Sequence, residues 1–198
     1  MKQIKKEDII KIYEEEKSFL KDGIKNGKNP YHIFTLSTIN NDFADSRMVV
    51  LRNIKFAPLK IYFNIDSRSP KAKQLEMKND CTALFYDSQR RVQIRCKCTA
   101  DIHNNNSISK SIWDKTALQS RKCYMGPYEP SIKLDSWHPN IPEKYLDKDP
   151  EVQDSEQGYK NFSHIELTMI ELDILQLHYN GHIRFKVNSQ DQINFISP

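Results

Sequence analysis

"DSRMVVLRNI", residues 45–54, sets a run of hydrophobic residues between two arginines. Met48, Val49, Val50 and Leu51 suit a buried strand, because aliphatic and β-branched side chains fit a pleated, packed surface. Arg47 and Arg52 at its ends need an anion or open solvent. Residues five apart on a regular strand point to opposite faces, so the two guanidiniums are expected to do two different jobs.

The neighbouring segments read the same way. "YHIFTLSTI", residues 31–39, alternates with a period of two, and "NND" turns the chain into the stretch above. "PLKIYFNID", residues 58–66, sets Leu59, Ile61, Phe63 and Ile65 on one side. Upstream, residues 7–26 form an amphipathic pattern in which Ile9, Tyr13, Leu20 and Ile24 share a stripe beside Ile12 and Phe19. Gly27 and Pro30 are expected to end that helix.

Downstream, Ser69 followed by Pro70 predicts a helix start with a capping hydroxyl and proline at the first helical position, the helix running to about Lys78. Strands are expected over 81–87 and 91–102, with a helix at 107–118. Residues 126–161 carry most of the nine prolines and predict an irregular surface excursion. In "FSHIELTMIELDILQLHY" the alternation changes parity at Met169–Ile170, which predicts a bulge or bend. Asn180-Gly181 predicts a two-residue hairpin turn into "HIRFKV", and "NSQDQ" a second reversal into "INFIS". The whole is mainly β: about seven antiparallel strands in a small barrel or sandwich decorated with helices. Residues 1–198 are expected to form one domain, with residues 1–28 as the N-terminal helix.

Composition narrows the function classes. The charge is only +4, with acidic and basic residues intermixed, which favours a local anionic ligand over a polyanion and argues against nucleic-acid binding. No apolar run approaches the ~20 residues that cross a bilayer. The charged N-terminal stretch "MKQIKKEDIIKIYEEEK" is unlike a signal peptide, so a cytoplasmic protein without a membrane partner is the simplest expectation. Cys81, Cys96, Cys98 and Cys123 lack zinc spacing and read as buried or half-buried free thiols; no metal is expected.

No nucleophile elbow, HExxH, Walker loop or strand-linked GxGxxG is present, and no side chain is assigned as a catalytic acid or base. The six histidines are scattered, and Asp66, Asp87 and Glu166 read as solvated strand ends. A set of cationic and hydroxyl groups at strand ends stands out. Arg47 and Arg52 bracket one strand, Ser67, Arg68 and Ser69 lead into a helix N-terminus, and Arg90 and Arg91 open another strand. Helix N–H groups and a nearby guanidinium suit a phosphate.

"SRMVVLR", "YFNIDSRSPKAKQLEMKNDCTALFYD" and "RRVQIRCKCTADI" resemble, in order and spacing, the flavin site of the pyridoxamine 5′-phosphate oxidase-like family. "GHIRFKV…INFISP" resembles that family's closing hairpin. The resemblance covers most of 31–125 and 162–198. It implies an FMN-binding split β-barrel and a homodimer with FMN at the subunit interface. By resemblance, Arg47, Met48, Val49 and Val50 line the flavin, with Arg47 near the phosphate. Arg52 takes the place of a lysine near flavin and substrate. Tyr62 and Phe63 flank the isoalloxazine or ribityl chain, Ser67 and Arg68 bind the phosphate, and Arg184 reaches the flavin from the closing hairpin.

The chain departs from the pattern at several positions. Ser69 stands where the family has a phosphate-binding lysine, with Lys71 one turn on as a substitute. Arg91 stands where the family has glutamine, with Gln93 as the alternative. Asn180 replaces an arginine that reads the substrate phosphate, and Phe195 replaces the terminal arginine. The resemblance is therefore to the uncharacterised flavin-binding branches. The implied function is an FMN-dependent oxidoreductase acting on a small molecule. The alternatives are a pyridoxamine or pyridoxine 5′-phosphate oxidase, and a non-catalytic flavin- or haem-binding module.

Overall fold

The computed structural model describes residues 4–198; the first three residues of the charged N-terminal stretch lie outside them. Among the described residues, nine strands form one sheet. They are β1 (Ile33–Asn40), β2 (Phe43–Val50), β3 (Asn53–Phe56), β4 (Leu59–Asp66), β5 (Asp80–Asp87), β6 (Val92–Asn104), β7 (Phe162–Gln176), β8 (Ile183–Asn188) and β9 (Ile193–Phe195). The path runs β2-β1-β5-β6-β7-β4-β3, and β8 pairs with both β7 and β9. The registers of β1–β2, β1–β5, β3–β4, β5–β6, β7–β8 and β8–β9 are antiparallel.

The strand count exceeds the expected seven partly because the stretch 45–54 is two strands. Leu51 N–H donates to His32 O (2.8 Å), whereas Arg52 N–H donates to Tyr62 O (2.8 Å). Successive amides thus change partner, so β2 pairs with β1 and β3 with β4. Parity counting between Arg47 and Arg52 fails across that break, because it holds only on an unbroken strand. β2 also lies at the end of the sheet path, and Met48 is 62% exposed, so only Val49 and Leu51 of the apolar run are buried.

The chain divides into two compact units. Among the described residues, the first comprises 4–63, Asn79–Asp101 and Glu166–Pro198. Its core alternates as expected from β4, where Leu59, Ile61 and Phe63 are buried. Phe34 meets Phe63 edge-on at 5.6 Å and Phe85 at 4.9 Å. Helix α1 (Lys6–Gly23) buries Ile9, Tyr13 and Leu20 as its periodicity predicts, and also Glu16. It ends at Gly23, before the expected Gly27; the Tyr31 backbone lies where a Cβ on Gly23 would come within 3.0 Å, and the Gly23 carbonyl accepts from His32 Nδ1 at 2.7 Å.

Glu16 is buried because Arg90 crosses to it. The Arg90 guanidinium contacts Glu16 Oε1 (2.6 Å) and Asp87 Oδ2 (2.6 Å) and lies 3.7 Å over the Phe19 ring. Tyr31 Oη donates to Glu16 Oε2 at 2.8 Å. Burial, and then the Glu16 carboxylate, hold the Tyr31 phenol well above its ordinary value. Asp87 is therefore no solvated strand end, and Arg90 belongs to the packing of α1 rather than to an open cationic site.

On β7, Ile165, Leu167 and Met169 are buried, Ile170 turns outward at 48% exposure, and Leu172 and Ile174 are buried again. The predicted parity change is thus present within one continuous strand. The β7–β8 turn is longer than the expected two residues, since Gln176 pairs with Ile183. Gly181 takes φ +119°, a conformation that favours glycine.

The second unit comprises Asn64–Lys78 and Ile102–Ile165. It holds α2 (Pro70–Met77), α3 (Ser107–Asp114), α4 (Leu118–Arg121) and α5 (Val152–Ser155), with short 3₁₀ turns around them. The excursion is irregular as expected, but it is anchored. Fully buried Trp113 donates from Nε1 to Glu156 Oε1 (2.9 Å), and buried Arg121 bonds Ser155 Oγ (2.9 Å) and Glu156 Oε1 (3.1 Å). Asn140 clasps the Tyr128 backbone from both sides at 3.0 Å, directly over Gly126, where a Cβ would overlap Asn140. Gly126→Ala is expected to cost about 2 kcal/mol through overpacking, read as a shifted urea midpoint.

Candidate functional site

In the first unit, the β1–β2 register pairs Leu36 with Arg47 and Phe34 with Val49. Arg47 and Val49 therefore share the inner face, and Met48 and Val50 the outer one. The Arg47 guanidinium is held by Asp45 Oδ2 (2.7 Å) and by Thr38 Oγ1. Arg52 projects an exposed side chain from the break between β2 and β3, next to Tyr62 through its backbone bond.

Tyr62 and Phe63 fall on opposite faces of β4. The Phe63 ring is fully buried against Phe34 and has no face to offer a flavin. Tyr62 is also buried, and its phenol is pushed up to about 12, by burial first and then by its hydrogen bond to Glu166. Glu166 also pairs with Lys60, so it too is no solvated strand end. Arg91 sits in the left-handed region (φ 57°) with an exposed side chain, and its carbonyl accepts from Leu177 N–H at 3.0 Å. Gln93 lies half-buried on β6 opposite Tyr86.

Arg184 grips Asp173 with two bonds, Nε to Oδ1 (3.0 Å) and Nη2 to Oδ2 (2.8 Å). Arg95 takes the same carboxylate from β6 at 2.5 Å. Asp173 is 4% exposed; burial pushes its carboxyl up, but the hydrogen bonds from Arg184 and Arg95 outweigh this and hold it below its ordinary value. Asp173 and Arg95 were not flagged by the sequence reading. Their signal is the alternation on β7 and β6, which places both on the outer parity facing the closing hairpin.

In the second unit, Ser67, Arg68, Ser69 and Lys71 meet at one junction between β4 and α2. Ser69 is the N-cap residue but does not cap: its buried hydroxyl turns back and donates to Asp66 O at 2.6 Å. The carboxylate of Asp66 binds Arg68 bidentately, from Nε (3.0 Å) and Nη2 (2.6 Å), and also accepts the Arg68 N–H (2.9 Å). Arg68 Nη1 donates to Gly126 O at 3.0 Å. Asp66 was expected as a solvated strand end, yet its side chain is 9% exposed. The aspartate two residues before Arg68 in a tight turn was the signal for this pair. The Ser67 hydroxyl makes no hydrogen bond among the described residues.

This donor set fits a phosphate in kind. Ser67 offers a free hydroxyl and Arg68 a guanidinium on which the carboxylates of Asp66 and Glu129 both act, and Lys71 adds a cation on α2. An arriving phosphate would share Arg68 with Asp66 through the guanidinium's remaining N–H bonds, of which arginine has five in all. Ser69, by contrast, has neither the charge nor a free hydroxyl to replace a lysine.

Residues 14–104 match the sequence model of the pyridoxamine 5′-phosphate oxidase FMN-binding domain. No curated protein matches the chain in sequence. Among solved structures, the chain is similar to a pyridoxamine 5′-phosphate oxidase-related, FMN-binding protein from Nostoc punctiforme PCC 73102, with TM-score 0.69 and 18% identity over 93% of this chain and 96% of that one. PhzG from Burkholderia lata 383, solved with tetrahydrophenazine-1-carboxylic acid, superposes with TM-score 0.66 and 13% identity over 96% and 92% of the two chains. A pyridoxamine 5′-phosphate oxidase-like protein from Listeria innocua gives TM-score 0.51 and 13% identity over 82% and 97%. At these identities the likeness is one of fold: a mainly antiparallel, nine-stranded split β-barrel with an N-terminal helix. Over residues 14–104 the chain is thus similar to the FMN-binding domain of pyridoxamine 5′-phosphate oxidases.

Proposed function

We propose that the protein is an FMN-dependent oxidoreductase acting on a small molecule, and that it works as a homodimer with FMN at the subunit interface. The match of residues 14–104 to an FMN-binding domain carries this reading. Bound FMN would supply hydride or electron transfer, with the protein providing orientation and electrostatics. The first unit offers Arg47 to Val50, Arg52, Tyr62, Arg91, Gln93 and Arg184 as candidate contacts. The second offers Ser67, Arg68 and Lys71 for the phosphate. Phe63 and Ser69 contribute backbone alone, since both side chains are buried. The exposed outer face of the edge strand β2, with Met48 at 62%, favours pairing with a second copy.

Asn180 and Phe195, in place of the arginines of the vitamin B6 enzymes, favour a substrate without that phosphate. Two measurements test the proposal. FMN-loaded protein should bleach anaerobically with NADH or NADPH and recover its colour with an electron acceptor. Light scattering should give twice the mass of the 23.3 kDa chain. Tight FMN binding with neither reduction nor reoxidation would favour the non-catalytic module. Conversion of pyridoxamine 5′-phosphate to the aldehyde at a useful rate would restore the vitamin B6 reading.

A further inference from the structure

The turn between β4 and α2 meets a loop of its own unit, residues 126–140. The Asn140 side chain accepts from the Tyr128 N–H and donates to the Tyr128 carbonyl, both at 3.0 Å, and so closes residues 128–140 into one piece. Two contacts moor that piece to the turn. Arg68 Nη1 donates to Gly126 O at 3.0 Å, and Glu129 Oε2 lies 3.7 Å from Lys73 Nζ on α2. The hydrogen bonds to Asp66 first, and the charges of Asp66 and Glu129 after them, hold the Arg68 guanidinium above its ordinary value.

Arg68 therefore has little left to give. It spends three of its five N–H donors inside the protein, Nε and Nη2 on Asp66 and Nη1 on Gly126 O. The two that remain sit one on each Nη. A phosphate gripped by both must lie against the Gly126 carbonyl and in the field of Glu129. The charge that moors the loop is thus one that an arriving phosphate meets as a repulsion.

We propose that the loop 126–140 makes an autoinhibitory contact: Glu129 and the Gly126 carbonyl compete with an incoming phosphate for Arg68, so the moored loop weakens phosphate binding and bound phosphate loosens the loop. This rests on the reading of Ser67, Arg68 and Lys71 as the phosphate contacts of FMN. Binding couplings are reciprocal, so one factor governs both effects. The Glu129 and Lys73 side chains are 54% and 64% exposed, and an exposed ion pair sets that factor at about threefold.

The test compares FMN with riboflavin, which lacks the phosphate, on the full chain and on two variants, Glu129→Gln and Asp135→Asn. The second removes a charge from the exposed middle of the same loop. The parent should bind FMN more tightly than riboflavin. Glu129→Gln should widen that ratio about threefold, and Asp135→Asn should leave it as it was. Trypsin cleavage after Lys133, exposed on the loop, should run about threefold faster with FMN bound to the parent, and gain less from FMN in Glu129→Gln.

A preference for FMN that Glu129→Gln does not change, or that Asp135→Asn widens equally, overturns the proposal and leaves the phosphate contacts standing. Slower cleavage after Lys133 with FMN overturns it too, because the phosphate then fastens the loop. Equal binding of FMN and riboflavin by the parent, or binding of neither, sinks the proposal together with the phosphate contacts.

Discussion

Replacing Arg90 with methionine is expected to lower the stability of the folded chain by about 3–5 kcal/mol, the usual loss when a buried ion pair is broken from one side. The change strands two carboxylates: the Glu16 and Asp87 side chains are 2% and 7% exposed, and Arg90 is the cation both share. Glu16→Gln combined with Arg90→Met should recover part of the loss, because one of the stranded charges is removed. Urea denaturation of the four members of that cycle checks it. An Arg90→Met variant as stable as the parent would show that α1 is held by its apolar stripe alone.

The same network sets an acid limit. Burial alone would raise the Asp87 carboxyl, but the hydrogen bonds from the Arg90 backbone and guanidinium hold it below its ordinary value. A folded-state value below the unfolded one, near ~3.9, stabilises the protein above that pH, and the contribution is lost as pH falls through the lower folded value. The parent should therefore lose stability below about pH 4, and Arg90→Met should show a flatter acid limb.

Arg68→Ala is expected to weaken FMN binding by about a hundredfold, since it deletes a charge-assisted phosphate contact and leaves Asp66 unpaired to repel the phosphate. Asp66→Asn should act in the opposite direction. It keeps the turn's shape, releases the guanidinium from its bidentate pair and removes the negative charge, so FMN should bind several-fold more tightly. Fluorescence quenching of FMN on titration gives both constants. Equal effects of the same sign would mean that the turn matters for folding and that Arg68 does not meet the phosphate.

Much of the fold was legible because hydrophobic alternation and turn residues are local signals. The bend in β7, the helix start at Ser69–Pro70 and the irregularity of 126–161 all came from them. What was not legible depended on partners distant in sequence. The stretch 45–54 reads as one buried strand, yet Leu51 and Arg52 bond to different neighbours, which splits it and places β2 at the sheet edge. Glu16 looked like one more solvent-facing glutamate until Arg90, 74 residues away, reached it.

The site divides along the same line. The order and spacing of Arg47, Ser67 and Arg68 were enough to suggest an anion. The carboxylates that hold these guanidiniums, Asp45 and Asp66, were overlooked although each lies only two residues from its arginine. Phe63 was named by its family position and not by its burial: its ring lies in the core, which leaves its backbone to meet a flavin. The two jobs expected of Arg47 and Arg52 stand on different ground now: Arg47 belongs to β2 and is braced by Asp45 and Thr38, while Arg52 leaves the strand at the break beside Tyr62.

The central claim is that this chain holds FMN. The most direct measurement is the visible absorption spectrum of the purified protein, recorded as isolated and again after incubation with FMN and gel filtration. Flavin bands that elute with the protein at one FMN per chain are the predicted result. A protein peak with no flavin absorption in either case would contradict the account.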